Sequence, residues 1–131
     1  MPGQSFYVLP EEQFKYLLEN ECKRAQRYQF FFSLLIISLV DQDSQYPFLT
    51  EISSLLKNVI RDCDTIGVLR SNQIAILLWY ADNPSLIARR IINQIQQEMS
   101  HLNIEVGEGC FPVNATTAND LFRESVVRIK I

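Results

Sequence analysis

The stretch that decides the fold runs from Arg61 to Trp79 and reads RDCDTIGVLRSNQIAILLW. It contains two short apolar runs, over 65–69 and 73–79, and three polar residues at 70–72 separate them. Short apolar runs on either side of a few turn-forming residues are typical of two antiparallel strands joined by a tight turn. The stretch therefore predicts a β-hairpin.

On both sides of the hairpin the sequence alternates between helical and extended patterns. The run from Phe30 to Val40 is apolar without a helical period, which favours a strand buried on both faces at the centre of a sheet. A later apolar run is interrupted by Gly107 and Gly109. The predicted elements are a helix over 10–28, the strand 30–40, a helix over 48–61, the hairpin strands 65–69 and 73–79, a helix over 83–100, a strand over 104–111, and a helix through Arg128 capped by Thr117 or Asn119.

The order of these elements gives a β-α-β-β-α-β core with one helix before it and one after it. That order is typical of the ferredoxin-like split βαβ arrangement, in which helices pack on one side of an antiparallel sheet. The predicted fold class is α+β, an α/β sandwich. We expect one domain over residues 1–131, because a chain of this length with 47% hydrophobic residues can bury its own core. Residues 1–6 are expected to be a disordered or added end.

The composition argues against several classes of protein. A net charge of −3 gives the surface as a whole no drive toward nucleic acid. The longest apolar stretch, Phe30–Val40, is shorter than the ~20 residues that span a bilayer, so we expect no direct membrane insertion. Three widely spaced cysteines fit reduced thiols better than disulfides or a zinc site, and no secretory signal opens the sequence. We therefore expect a cytoplasmic location.

Three features outside the hairpin have ordinary explanations. His101 is the single histidine, and a catalytic role would need partners from unmarked positions. Asp41 and Asp43 offer ligands to a cation, but two loop carboxylates without a glycine-containing calcium loop are usually solvated. Trp79 and Tyr80 end a predicted strand, where aromatic side chains either cover the edge of the core or form an interface.

The polar residues around the hairpin resemble a pattern of the GGDEF (diguanylate cyclase) family. Arg61 and Asp64 form an R-x-x-D, which in that family is an inhibitory site five residues before the signature hairpin. The resemblance covers about residues 11–130 and includes RAQR at 24–27 and GEGCFP at 107–112. It implies that the ferredoxin-like core is of the GGDEF/nucleotide cyclase type.

The residues at the signature positions differ from those of the family. Arg70 and Ser71 fall on its two glycines, Asn72 and Gln73 fall on its two acidic letters, and Ile74 falls on its phenylalanine. Glycines let backbone N–H groups approach phosphate in such a turn, and the side chains at 70 and 71 remove that freedom. The resemblance therefore points to a degenerate hairpin.

The metal site of the family is also missing from the sequence. In the family, carboxylates of the hairpin and of the first strand hold a metal that activates the 3'-hydroxyl of the nucleotide. Here the first-strand position is Ser38, and the amides of Asn72 and Gln73 do not offset the charge of Mg²⁺. The family segments F-K-x-x-N-D and G-H-x-x-G-D, which contact guanine, are absent. The resemblance thus implies a catalytically inactive domain that is not an enzyme, with no catalytic residues, no metal and no cofactor.

Three residues at the inhibitory-site positions remain. Arg90, within 88–91, matches an arginine that the family places in the helix after the hairpin. Arginine donates to guanine or phosphate, and a carboxylate accepts from guanine N–H groups. The resemblance therefore implies that Arg61, Asp64 and Arg90 bind cyclic di-GMP, and that binding joins the domain to a second copy or to a partner protein. A local ion pair at a helix end, with Arg89 and Arg90 on a solvated face, would also account for these residues.

The function expected from the sequence is that of a cyclic di-GMP receptor in bacterial second-messenger signalling. The alternative is a protein–protein interaction module of a signalling or secretion protein, a pseudo-enzyme that has lost nucleotide binding together with catalysis.

Overall fold

A computed structural model describes most of the chain. The described residues are 8–40, 48–56, 58–61, 63–70, 73–80, 84–99, 103–113 and 115–127. The predictions made for residues 1–6, Asp41, Asp43, Ser71, Asn72 and His101 lie outside them.

Helices and strands alternate along the described ranges largely as the sequence predicts. In chain order they are β1 (Val8–Leu9), α1 (Glu11–Tyr28), β2 (Phe32–Val40), α2 (Phe48–Leu56), β3 (Thr65–Arg70), β4 (Gln73–Trp79), α3 (Pro84–Glu98), β5 (Asn103–Phe111) and α4 (Ala118–Val127).

The strands form one sheet in the order β1-β3-β4-β2-β5. β1 pairs with β3 in parallel, and the other three pairs are antiparallel. The predicted hairpin and the β-α-β-β-α-β core are confirmed, because β3, β4, β2 and β5 lie in the order of the ferredoxin-like arrangement. β2 lies between β4 and β5 and is buried on both faces, as its apolar sequence predicts. β1 was not predicted, because a strand of two residues is too short to show an alternating pattern of apolar and polar residues.

The prediction that helices cover one side of the sheet is wrong. α2 and α3 pack on one face, against Leu35 and Ile37 of β2, whereas α1 and α4 pack on the other, against Leu34 and Ile36. Because β2 and β4 are apolar at nearly every position, both faces must be removed from water. The helices before and after the core provide the second layer.

Two local predictions are corrected by the structure, and a third, which left two capping residues open, is decided by it. α2 ends at Leu56, and the N–H groups of Val59 and Ile60 both donate to its carbonyl at 3.0 Å, so Arg61 lies beyond the helix rather than at its end. β5 is continuous from residue 103 to 111 and is not interrupted by its glycines. Thr117 caps α4, because its Oγ1 accepts from the N–H of Asp120 at 3.2 Å.

Two glycines mark the places where the outer helices approach the sheet most closely. A Cβ on Gly67 of β3 would overlap the ring of Phe14 in α1. A Cβ on Gly109 of β5 would lie 2.6 Å from Oγ of Ser125 in α4. These positions therefore require glycine because of packing rather than backbone conformation.

We predict that Gly67→Ala lowers the free energy of unfolding by about 1–3 kcal/mol, because overpacking forces the Phe14 ring out of its position. Chemical denaturation measures the change. In a Phe14→Ala background, which removes Cγ and the ring and leaves only Cβ close to the new methyl group, the same substitution should cost less. An equal cost in both backgrounds would show that the close approach of the ring is not the reason for glycine.

Candidate functional site

Arg61 and Asp64 of the predicted R-x-x-D are bonded to each other between α2 and β3, and we call this pair, together with Cys63, the arginine turn. The backbone N–H of Asp64 donates to the carbonyl of Arg61 at 3.0 Å, and the backbone N–H of Arg61 donates to Oδ2 of Asp64 at 2.9 Å. The two bonds run in opposite directions across the turn. These two hydrogen bonds hold Arg61 and Asp64 together, and both residues lie outside α2.

The Asp64 carboxylate is the acceptor on which the turn is built. Its Oδ2 also accepts from Nε of Arg61 at 3.3 Å, and its Oδ1 accepts from Nη2 of Arg61 at 3.1 Å and from the N–H of Trp79 at 3.3 Å. The side chain is 1% exposed. With about four lone-pair sites on a carboxylate, these bonds leave none open. Asp64 therefore joins the turn to the end of β4, and its carboxylate faces the protein.

The Arg61 guanidinium is held along one edge and open along the other. Nε and Nη2 bond to Asp64, and Nη2 also donates to the carbonyl of Trp79. Within the part of the chain that the structure describes, no hydrogen bond engages Nη1, and the side chain is 52% exposed. The hydrogen bond to Asp64 raises the pKa of Arg61 above its ordinary value. A charged group with two free N–H donors is thus presented to solvent in a fixed orientation.

Arg90 lies on the exposed side of α3, as does Arg89. Across the described ranges, no hydrogen bond or ion pair engages Arg90. The structure therefore brings Arg61 and Asp64 into direct contact, and Arg90 is an exposed cation of α3 with no hydrogen bond to either of them among the described residues.

At the opposite end of the β2–β4 pair, two positions predicted to replace metal ligands face each other. Ser38 of β2 is the register partner of Gln73 of β4, and Nε2 of Gln73 donates to Oγ of Ser38 at 3.0 Å. On its other side Ser38 pairs with Glu105 of β5. An amide and a hydroxyl satisfy one another here, and among the described residues this donor set, with one neighbouring carboxylate, does not fit Mg²⁺. The described residues contain no cluster of three metal-ligating side chains.

Solved structures that match this arrangement of strands and helices include GGDEF domains. A DGC protein from Thermotoga maritima matches with a TM-score of 0.82 at 16% sequence identity, over 95% of this chain and 97% of that protein. The chain has the GGDEF-domain fold. The FimX GGDEF domain from Pseudomonas aeruginosa matches with a TM-score of 0.73 at 12% identity, over 96% of this chain and 90% of that domain.

One of the similar solved structures is a GGDEF domain with a bound ligand. The GGDEF domain of DgcB from Caulobacter crescentus, in complex with c-di-GMP, matches with a TM-score of 0.73 at 8% identity, over 96% of this chain and 86% of that domain. No family sequence model and no curated protein matches the chain. The likeness to GGDEF domains is therefore one of fold, and the family-type fold expected from the hairpin is confirmed.

Where β4 of this GGDEF fold ends, an aromatic cluster adjoins the arginine turn. Trp79 is half-buried and packs edge-on against Phe30 and Phe32, each with ring centroids 5.4 Å away. Tyr80 and Phe31 are exposed and stand perpendicular to each other at 5.5 Å. Trp79 thus covers the edge of the core and Tyr80 does not. The sequence pointed to Trp79 and Tyr80 but gave no sign that Phe31 joins them.

A groove opens beside this cluster, between the end of α1 and the end of β5. Its volume is about 430 Å³, and its walls are largely apolar. The lining residues are Ala25, Gln26, Gln29, Phe30, Phe31, Phe111, Pro112 and Thr116. Among the helices described, none is long and apolar enough to serve as a membrane span.

We predict that Asp64→Ala lowers the free energy of unfolding by about 1–3 kcal/mol, because the N–H of Trp79 and that of Arg61 lose a buried acceptor. Denaturant unfolding measures the loss. Asp120→Ala is the matched control, since Asp120 forms an i,i+3 pair with Arg123 in which both side chains are exposed. Its cost should stay below about 1 kcal/mol. Equal costs would show that Asp64 does not hold the turn.

Proposed function

We propose that the domain is a catalytically inactive GGDEF-like domain that binds cyclic di-GMP at the arginine turn. One observation carries the proposal: Arg61 is clamped by a buried carboxylate while its Nη1 edge stays open at the surface. A guanidinium that is already oriented loses less freedom on binding than a mobile one. The DgcB domain of the same fold is in complex with c-di-GMP, which supports that ligand.

The two residues of the turn have different parts in the proposed site. Arg61 contacts the ligand, and its two free Nη1 donors suit a phosphate oxygen, where the bonds are charge-assisted. A bidentate contact to a guanine edge would in addition require Nη2 to leave the Trp79 carbonyl. Asp64 acts as a positioning residue, because its carboxylate is buried and its acceptor sites are filled. Arg90 supplies a second cation from α3.

Inactivity in nucleotide cyclisation is supported by the neutral pair at the other end of the strands. The hydrogen bond from Gln73 to Ser38 occupies two positions at which the family resemblance expects carboxylates. A metal that must activate a hydroxyl nucleophile needs such anionic ligands. The proposed role is therefore ligand sensing in the cytoplasm, with a second copy of the chain or a partner protein responding to occupancy.

A protein–protein interaction module is the second candidate. The observation that favours it is the aromatic surface around the groove, where Phe31 and Tyr80 are exposed beside each other. Exposed aromatic side chains near an apolar groove are enriched in protein interfaces. In this alternative the Arg61–Asp64 pair is structural only.

We predict that the wild-type protein binds cyclic di-GMP in calorimetric titration and that Arg61→Ala weakens binding by about 10- to 150-fold, as for the loss of ~1.5–3 kcal/mol in hydrogen bonds to a charged group. Arg90→Ala should weaken it through the same site. Arg61→Ala should retain the fold, because the Asp64 carboxylate keeps two backbone donors.

The matched control is Arg123→Ala, which removes one exposed arginine from an i,i+3 pair with an aspartate. Its affinity should equal that of the wild type, and this separates a site from general charge attraction. If the wild type shows no heat of binding at high ligand concentration, or if Arg61→Ala binds as tightly, the interaction module replaces the receptor.

We predict that the protein with GTP and Mg²⁺ forms no cyclic di-GMP above a no-enzyme control, as measured by chromatography of the products. The double variant Ser38→Asp with Gln73→Glu should also form none, because the guanine-contacting segments of the family remain absent from the sequence. Turnover by the wild type would contradict the proposal of inactivity. Turnover by the double variant alone would show that those segments are dispensable.

A further inference from the structure

Tyr80 follows the last residue of β4 and adopts a conformation that is unusual for tyrosine. Its φ angle is 54°, in the left-handed region, which is strained for a bulky side chain. Its N–H donates to the carbonyl of Phe31 at 3.1 Å, and its ring centroid lies 5.5 Å from that of Phe31 and 5.8 Å from that of Phe30. Strained residues of this kind persist where the surroundings over-determine them, and they cluster at functional sites and ligand clamps.

The Tyr80 ring remains accessible despite these contacts. The residue is 57% exposed, so burial of the ring in the core does not explain why a tyrosine is kept in a strained conformation. Glycine would adopt the same φ angle without cost. The rings of Phe30 and Phe31 instead contact the tyrosine side chain at the surface.

Tyr80 is also linked to the arginine turn through a single residue. The carbonyl of Trp79 accepts from Nη2 of Arg61, and the N–H of Trp79 donates to Asp64. The guanidinium is therefore bonded to Trp79, and the phenol ring belongs to the next residue at the same strand end. An oriented cation and an exposed aromatic ring at one strand end match the two parts of a nucleotide, phosphate and base.

We propose that Tyr80 is a stacking platform for a purine base of the cyclic dinucleotide, which rests on the proposed function. Arg61 meets a phosphate, and the ring of Tyr80 meets the π-face of a base. Stacking of this kind tolerates any base, because every base has a π-face. Tyr80 thus adds affinity without choosing between guanine and adenine.

The test is calorimetric titration of cyclic di-GMP into the wild type and into Tyr80→Ala, Tyr80→Phe and Tyr80→Gly. Tyr80→Ala should bind about 5- to 150-fold more weakly, the range for loss of one stacked base. Tyr80→Phe keeps the ring and should bind within about threefold of the wild type. Tyr80→Gly should bind as weakly as Tyr80→Ala. It should be at least as stable to denaturant as Tyr80→Ala, because glycine adopts this φ angle without strain.

Tyr16→Ala is the matched control, since Tyr16 of α1 is also an exposed tyrosine and should be silent in binding. The stacking inference is overturned, with the proposed function intact, if the wild type binds and Tyr80→Ala binds equally well. It is overturned in the same way if Tyr80→Phe loses as much affinity as Tyr80→Ala. A wild-type protein that binds no cyclic di-GMP overturns both proposals.

Discussion

The fold depends on the apolar character of β2 and β4 on both of their faces. Leu35 and Ile37 require one layer of helices and Leu34 and Ile36 require the other, so the sheet is stable only when four helices cover it. This double burial leaves polar chemistry little room along the strands. Function is therefore confined to the strand ends, where backbone and side chains reach the surface.

The two ends of the β2–β4 pair carry opposite kinds of chemistry. At the hairpin end, Ser38 and Gln73 satisfy each other and present no charge of their own. At the other end, six residues along β4 and so about 20 Å away, Trp79 is bonded to the arginine turn, which presents a fixed cation. A buried carboxylate, Asp64, is the element that converts a flexible arginine into an oriented one. We assign ligand recognition to the arginine turn and none to the Ser38–Gln73 pair.

The sequence predicts the fold better than it predicts the geometry of the site. Periodicity and the hairpin turn identify the core elements, and the R-x-x-D identifies Arg61 and Asp64. Periodicity does not reveal which face a flanking helix covers, so the layer formed by α1 and α4 was misplaced. Residue type alone also assigns Asp64 to the ligand. In the structure the Asp64 carboxylate is buried and accepts from the N–H of Trp79, a residue that is distant in sequence and becomes adjacent only when the sheet forms. The strained backbone of Tyr80 has no signal in the sequence, because a positive φ at a tyrosine is imposed by tertiary contacts.

The most direct test is a heteronuclear NMR titration of nitrogen-labelled protein with cyclic di-GMP. We predict that the Nε–H of Arg61 and the backbone amides of Trp79 and Tyr80 shift with saturation, while the side-chain amide of Gln73, hydrogen-bonded to Ser38, does not. Shifts that concentrate at Gln73 and Ser38, or an absence of saturable shifts at Arg61, would contradict this prediction.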